Sequence, residues 1–170
     1  IGCSSRFPGF VTTYGYHGVH GRALPTAMGV KMANPELEVI AVGGDGDGFA
    51  IGGGHFPHAA RRNIDITYIV MDNEIYGLTK GQVSPTSLHA QKSPSSPYGN
   101  LEQPLNTMAT AIAANASFVA RGASFRPKEL TELVIALTAL KAGQYMLVKA
   151  SIAGAIVTNT LFMLGASFLL

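Results

Sequence analysis

Cysteine is nearly absent from this sequence. Cys3 is the one cysteine among 170 residues, so no disulfide can form within the chain. This composition is typical of a reducing compartment, and we expect a cytoplasmic location for residues 1–130. Charge is also scarce, with 13% charged residues and a net charge of +2. Without a run rich in Lys and Arg, the sequence does not predict a nucleic-acid partner.

The first residues lack the features of a signal peptide, which needs a basic segment followed by an apolar run. The chain begins with Ile1 rather than with Met. We therefore expect it to start inside a longer protein.

The last segment lacks charge altogether. Residues 150–170 contain no ionisable side chain, and the nearest charges before them are Lys141 and Lys149. A helix of that length reaches about 30 Å, the thickness of a bilayer's hydrocarbon core. Polar residues such as Ser151 and Asn159 count against a membrane span. The sequence leaves two alternatives open: an apolar helical tail that contacts a membrane, or a divergent end of a soluble domain.

The rest of the sequence contains the alternation of strand and helix that predicts an α/β fold. Apolar runs at 39–42 and 66–71 indicate buried strands, and 49–62 between them indicates a helix. This order predicts a βαβ unit with a parallel sheet. Loops are further predicted for 1–22 and 77–104, a strand for 118–120, and helices for 22–33, 105–115 and 127–142, the last with an apolar face of Leu130, Leu133, Val134, Leu137 and Leu140.

Two polar motifs follow the two predicted strands. Gly-Asp-Gly-Asp-Gly at 44–48 follows the first strand, and Asp-Asn-Glu-Ile-Tyr-Gly at 72–77 follows the second. Ligands of open α/β sheets bind at the carboxyl ends of strands, and glycines let a backbone approach a phosphate. Asp45 and Asn73 carry the oxygen ligands that Mg²⁺ prefers. An isolated Gly-Asp-Gly would be only a turn, but this pairing predicts a diphosphate and Mg²⁺ site.

Several further sequence motifs resemble those of one protein family. The Gly-Asp-Gly that is followed by Asn73 is similar to the thiamine diphosphate motif. The blocks Ile-Gly-Cys-Ser-Ser-Arg at 1–6, His-Gly-Arg-Ala at 20–23 and Tyr-Gly-Leu-Thr-Lys-Gly-Gln at 76–82 resemble the β subunits of 2-oxoacid:ferredoxin oxidoreductases. So do Gly-Gly-Gly-His-Phe at 52–56, Ser-Pro-Thr-Ser at 84–87 and Pro-Tyr-Gly-Asn at 97–100.

The resemblance implies a partial thiamine-diphosphate-binding fold over residues 1–130, with a parallel sheet. It implies Asp45, Asn73 and the backbone carbonyl of Ile75 as Mg²⁺ ligands. Lys80 is implied as a catalytic residue that meets the substrate carboxylate, which needs a cationic partner; the alternative is a solvated loop lysine. The remaining residues implied near the cofactor are Ser4, Ser5, Gly44, Gly46 and Asp47, with His20 as a second catalytic residue.

The activity that the resemblance implies is oxidative decarboxylation of a 2-oxoacid with thiamine diphosphate as electron sink. Electrons would pass to ferredoxin, coenzyme A would accept the acyl group, and an α subunit would be the partner. The Gly-Leu-Thr-Lys-Gly-Gln wording resembles members that act on 2-oxoglutarate or on a broad range of 2-oxoacids. The loop 78–103 would help to close the site.

Cys3 corresponds in that family to one ligand of a 4Fe–4S cluster. Such a cluster normally needs four thiolates, so this chain cannot complete the site. Two histidine pairs, His17 with His20 and His55 with His58, have a spacing compatible with a metal site. They lack nearby cysteine or carboxylate partners in sequence, and we interpret them as core or diphosphate-contacting residues.

The resemblance fades near residue 130. The chain continues with Thr-Glu-Leu at 131–133, Lys-Ala-Gly-Gln at 141–144 and an apolar stretch that contains Ser151 and Asn159. In this wording residues 131–170 resemble part of a calcium/proton exchanger. There Glu132 takes the place of a membrane-embedded, cation-carrying glutamate, since an ionisable group in a membrane is usually functional. The alternative is that Glu132 lies on the exposed face of a soluble helix. A second hypothesis is therefore a truncated exchanger joined to a non-catalytic soluble segment, whether as a natural fusion or as a chimera of unrelated fragments.

Overall fold

The computed structural model describes residues 3–143, except the side chains of Cys3 and Ser5. The chain divides into two compact units, Ile1–Val119 and Ala120–Leu170. The first contains a 3-10 helix Cys3–Phe10, α1 Ala23–Ala33, β1 Ile40–Gly44, a π-helical turn Gly46–Ile51, α2 Phe56–Arg62, β2 Thr67–Met71, β3 Ile75–Tyr76, β4 Gln82–Val83 and α3 Thr107–Ala113. The described part of the second unit contains α4 Pro127–Lys141.

The predicted βαβ unit is confirmed. Strands β1 and β2 are parallel, with Ile40 opposite Thr67 and Gly44 opposite Met71. Because the last residues of both strands are in register, the two polar motifs leave the sheet from the same edge. This register therefore places the polar residues of the two motifs close to one another.

Helices α1 and α2 pack on this unit. Leu24 and Met28 of α1 are buried with Ala59 of α2, and partly buried Phe56, Ile64, Ile66 and Tyr68 pack against them. Helix α2 has Pro57 in its first turn, where a missing N–H costs nothing, and ends at Asn63 in a left-handed conformation. The cluster fixes the crossover helix against the start of β2.

The single helix predicted for 49–62 is wrong. A π-helical turn ends at Ile51, a glycine-rich turn follows, and α2 begins at Phe56. Glycine carries a large helix penalty, so three consecutive glycines at 52–54 interrupt the helix.

Three other predictions of local structure need correction. The first 22 residues are not all loop, because a 3-10 helix covers Cys3–Phe10. The predicted loop 77–104 includes β4, which pairs with β3 as an antiparallel hairpin. The strand predicted at 118–120 is not formed, because this segment pairs with no other strand in the described part of the chain. A segment of three residues gains the hydrogen bonds of a sheet only where a partner strand lies alongside.

In the second unit, α4 confirms the predicted helix but only part of its apolar face. The buried residues are Ala136 and Ala139, against which Leu140 packs, whereas Leu130 and Val134 are exposed. No helix within residues 3–143 is long and apolar enough to cross a membrane. The predicted span at 150–170 lies outside the described residues.

Candidate functional site

The two strand-end motifs meet at the carboxyl edge of the parallel sheet. Asp45 follows β1 directly and is almost fully buried, with 1% of its surface exposed. Asn73 lies two residues after β2 and is exposed. The structure therefore brings together one buried carboxylate and one solvent-facing amide, as the strand order predicts.

Two local turns shape the motif after β2. The Asp72 carboxylate accepts a hydrogen bond from the Glu74 backbone at 3.1 Å, and the Asn73 amide oxygen accepts one from the Ile75 backbone at 3.3 Å. Asp and Asn favour such turns because their short side chains reach the backbone two residues ahead. Glu74 has φ +59°, a left-handed conformation, so the chain reverses here and Ile75 can start β3.

The Asn73 amide, the Asp45 carboxylate and the Ile75 carbonyl converge at this turn. The Asn73 amide oxygen lies 2.7 Å from the Ile75 carbonyl oxygen and 3.1 Å from Asp45 Oδ1. Exchanging the amide oxygen and nitrogen would turn both contacts into hydrogen bonds. Alternatively, adjacent oxygens on an octahedral Mg²⁺ with ligand distances of about 2.1 Å are about 3.0 Å apart. The spacing therefore suits a small divalent cation, and these residues can supply three of its ligands.

A buried group of hydroxyls lies beneath these oxygens. Ser84, Thr86 and Ser87, which follow β4, are all buried. Thr86 donates to Asp45 Oδ2 at 2.9 Å, and the Ser87 hydroxyl donates to the Glu74 carbonyl. We call Ser84, Thr86 and Ser87 the hydroxyl cluster.

A second polar group surrounds Asp47. Its Oδ1 lies 2.7 Å from His20 Nδ1 and accepts the Gly21 backbone N–H at 2.6 Å. Asp47 is buried, whereas the His20 side chain is 29% exposed. The buried carboxylate thus holds the ring by Nδ1 and leaves Nε2 available for other contacts.

Tyr76 joins the two groups. Its hydroxyl donates to the Gly46 carbonyl at 3.1 Å, and its ring packs edge-on to that of His20 with centroids 6.1 Å apart. A Cβ on Gly46 would lie 2.3 Å from the Tyr76 ring, so glycine is needed here for packing. Burial, followed by the carboxylates of Asp45 and Asp47, raises the pKa of Tyr76 above 10.0.

Tyr68 of β2 should make stability depend on alkaline pH. Burial, and to a lesser degree Asp47, raises the pKa of Tyr68 well above 10.0. In the unfolded chain the phenol ionises near pH 10, whereas the folded protein keeps it neutral, so its contribution to stability is complete below pH 10 and is lost as pH rises further. We expect Tyr68→Phe to remove this loss.

The measurement is urea unfolding of the wild type and of Tyr68→Phe between pH 8 and about 11, the range around the ordinary phenol pKa. The difference in unfolding free energy should be constant up to pH 10 and then change in favour of the Phe variant. Tyr98→Phe, at a side chain 97% exposed, should show no such change. A flat difference for Tyr68→Phe would contradict the prediction.

Ser4 and Gly44 border a polar space at the end of β1. The Ser4 hydroxyl is buried without a hydrogen-bond partner among the described residues. A Cβ built on Gly44 would have no atom nearer than 3.9 Å, and one of the two atoms at that distance is the Ser4 oxygen. A buried hydroxyl normally has a hydrogen-bond partner, so the Ser4 hydroxyl can donate a hydrogen bond to a ligand in the space beside Gly44.

Lys80 lies in the loop of the β3–β4 hairpin. It is exposed and has φ +82°, in the left-handed region, as has Gly81 next to it. A non-glycine residue pays about 1 kcal/mol or more for this conformation, and such strain is found preferentially at functional sites. The hairpin begins at Ile75, so Lys80 is carried by the element that supplies the converging carbonyl.

The other predicted residues are not brought together. His17 and His58 are exposed and His55 is partly buried, so none of them is a core residue. Within residues 3–143, no group of three or more His, Cys, Asp or Glu side chains could hold a metal. Glu132 is exposed on α4. The side chains of Cys3 and Ser5 lie outside the description.

No sequence pattern assigned a role to the hydroxyl cluster or to Tyr76. The Ser-Pro-Thr-Ser motif at 84–87 contributed only to the family resemblance. That resemblance was the one sequence signal that set this segment apart from an ordinary loop. Thr86 reaches Asp45 across 41 positions, a distance that no local pattern encodes.

The sequence of this chain is similar to a protein family and to individual known proteins. The family described as "Thiamine pyrophosphate enzyme, C-terminal TPP binding domain" matches residues 1–150. The 2-oxoglutarate synthase subunit KorB of Archaeoglobus fulgidus is 48% identical over 134 residues, covering 79% of this chain and 50% of that protein. The 2-oxoacid:ferredoxin oxidoreductase subunit beta of Saccharolobus solfataricus is 50% identical over 136 residues, covering 79% and 45%.

A solved structure is similar as well. It is 2-oxoglutarate:ferredoxin oxidoreductase from Magnetococcus marinus with 2-oxoglutarate, coenzyme A and succinyl-CoA bound, with TM-score 0.77 and 51% identity over 79% of this chain and 46% of that one. The chain thus spans about half the length of these relatives. The family match extends past Glu132, and these similarities give no support to the exchanger hypothesis.

Proposed function

Because this chain belongs to the thiamine pyrophosphate enzyme family, as a C-terminal TPP-binding domain, we propose that it forms part of the β subunit of a 2-oxoacid:ferredoxin oxidoreductase. The observation that carries the proposal is that the Asn73 amide meets the Asp45 carboxylate and the Ile75 carbonyl at one strand edge. We propose 2-oxoglutarate as the first substrate to test, because similar proteins are named for it.

One oxygen from each of these three residues would hold Mg²⁺, which binds oxygen ligands and often bridges to phosphate groups. The diphosphate would lie beside Gly44, and the orphan hydroxyl of Ser4 would donate to it. Gly46 would contribute through the backbone only, because the Tyr76 ring occupies the space beside its Cα. The role of Ser5 rests on the family resemblance.

Thiamine diphosphate, when bound, supplies a nucleophilic carbon and an electron sink for the loss of carbon dioxide. His20 would stand beside the reacting groups and move a proton at Nε2, since Asp47 holds Nδ1. Asp47 would act through His20 and Gly21 rather than on the diphosphate, because two anions repel each other. Lys80 would pair with the substrate carboxylate.

The remaining parts of the reaction require partners. Coenzyme A would accept the acyl group, ferredoxin the electrons, and an α subunit would complete the assembly. Cys3 would be one ligand of a 4Fe–4S cluster whose other thiolates come from outside these residues. We place the complex in the reducing cytoplasm, which fits the single cysteine.

A glycine substitution tests the diphosphate position. The nearest neighbours of a Cβ at Gly44 would be at 3.9 Å, an ordinary contact distance, so Gly44→Ala should fold with an unchanged melting temperature. The methyl group would occupy the space assigned to the diphosphate, and we expect thiamine diphosphate affinity to fall about 10-fold or more, the usual cost of overpacking.

The assay is calorimetric titration of thiamine diphosphate with and without Mg²⁺. The wild type should bind only with the cation. Gly54→Ala is the matched control, because nothing lies within 4 Å of its added Cβ. Equal affinity of the wild type and Gly44→Ala would place the diphosphate elsewhere, and absence of binding to the wild type would refute the proposed function.

A further inference from the structure

Thr86 stands between two carboxylates beneath the strand-end turn. Its hydroxyl oxygen lies 2.9 Å from Asp45 Oδ2 and 2.8 Å from Asp72 Oδ1. Thr86 is 7% exposed and Asp45 is 1% exposed, so water has little access to the first contact. One neutral side chain thus bridges both strand-end motifs.

The hydroxyl carries one proton, so it cannot donate to both carboxylates at once. Asp72 Oδ1 already accepts the Glu74 backbone N–H at 3.1 Å. Asp45 Oδ2 has Thr86 as its one hydrogen-bond donor among the contacts described. Since a buried carboxylate without a donor is costly, the Thr86 proton is needed most at Asp45.

The two oxygens of Asp45 therefore have different tasks. Oδ1 faces the Asn73 amide at 3.1 Å, on the side where the three oxygens converge. Oδ2 faces Thr86 on the opposite side. A hydrogen bond at Oδ2 fixes the rotation of the carboxylate and keeps Oδ1 directed at the cation position.

The segment that carries Thr86 is itself well held. Ser84 Oγ lies 3.1 Å from Thr86 Oγ1, and Asn100 Nδ2 donates to the Ser87 carbonyl at 3.1 Å. Ser87 in turn donates to the Glu74 carbonyl, next to Ile75. The hydroxyl cluster thus braces the turns that supply all three converging oxygens, and its position does not depend on a single contact.

We propose that Thr86 is a positioning residue that orients Asp45 for Mg²⁺ and so sets the affinity for the Mg²⁺–thiamine diphosphate pair. This inference rests on the proposed function, because it assumes that the converging oxygens bind the cation. Residues that hydrogen-bond to metal ligands typically change metal affinity about 10- to 100-fold when removed. Thr86 would be such a residue, contacting the ligand and neither cofactor nor substrate.

The test compares Thr86→Val, which keeps the shape and removes the hydroxyl, with Thr86→Ser, which keeps the hydroxyl. We measure the Mg²⁺ dissociation constant at saturating thiamine diphosphate by titration. The Val variant should bind Mg²⁺ about 10- to 100-fold more weakly, and the Ser variant within about 3-fold of the wild type. A merely structural role would lower the melting temperature without this dependence on the hydroxyl.

The possible results distinguish a failure of the positioning role of Thr86 from a failure of the proposed function. If the wild type binds Mg²⁺ and thiamine diphosphate but Thr86→Val binds Mg²⁺ equally well, the positioning role is refuted and the proposed function stands. If the wild type binds neither, the proposed function itself fails. If Thr86→Val does not fold, Thr86→Cys replaces it; its weakly donating thiol should give an affinity below that of Thr86→Ser, and equal affinities would overturn the proposal.

Discussion

Asp45→Asn should weaken Mg²⁺-dependent binding of thiamine diphosphate more than about 100-fold, because even residues behind a metal ligand cost 10- to 100-fold and Asp45 would be a direct ligand. The substitution keeps the volume and one side-chain oxygen but removes the negative charge. A buried carboxylate that shares Thr86 with Asp72 costs desolvation energy in the absence of a cation. The metal-free variant should therefore melt no lower than the wild type.

Asp65→Asn is the matched control. Asp65 carries the same charge in the same unit, but its side chain is 65% exposed and forms an ion pair with Lys31 at 3.1 Å. It should bind thiamine diphosphate as the wild type does. Titration of cofactor at a fixed Mg²⁺ concentration, together with thermal unfolding, separates loss of binding from loss of fold. An Asp45→Asn protein that keeps wild-type affinity would remove Asp45 from the cation site.

Under the proposed function, Lys80→Gly should raise the apparent KM for 2-oxoglutarate about 10- to 150-fold, the value of a charge-assisted hydrogen bond of about 1.5 to 3 kcal/mol. Glycine accepts the φ of +82° at this position without steric cost, so the variant loses the charge while its backbone is relieved of strain. The melting temperature should not fall, and thiamine diphosphate should bind normally. Lys80→Arg keeps the charge and should retain most of the affinity.

The measurement is initial rates of the assembled enzyme over a range of 2-oxoglutarate concentrations. Lys92→Gly serves as control, because Lys92 is also an exposed lysine but lies outside the β3–β4 hairpin, in the connection between β4 and α3. If both glycine variants raise KM equally, the effect is one of general charge and Lys80 has no specific contact. A melting temperature that falls for Lys80→Gly would show that the lysine has a structural role instead.

Local sequence predicted the framework of this site. The apolar runs of β1 and β2 and the glycine-rich motif after β1 were recognisable because strands and turns depend on neighbouring residues. Their order along the chain then implied a parallel pair with both motifs at one edge. The main error was the single helix predicted for 49–62. The apolar composition of that segment favoured a helix, and the helix penalty of the glycines at 52–54 was given too little weight.

The face of α4 illustrates a different limit. Leucines at helical spacing predicted an apolar stripe, yet Ala136 and Ala139 are the buried residues. Which side of a helix is covered depends on what packs against it, and the spacing of its own residues does not contain that information. Small side chains also permit a closer approach of a neighbour than leucines do.

The sequence by itself determined that this protein has a parallel βαβ unit, a Gly-Asp-Gly turn after the first strand and an Asn-containing turn after the second, because each of these is a property of a short segment. Only the tertiary structure decided that Thr86 faces Asp45 and that Asp47 faces His20, contacts that span 41 and 27 positions. Such contacts form because burial of the intervening segments fixes their ends in space, so a hydrogen bond between distant residues follows from packing and not from any pattern in their neighbours.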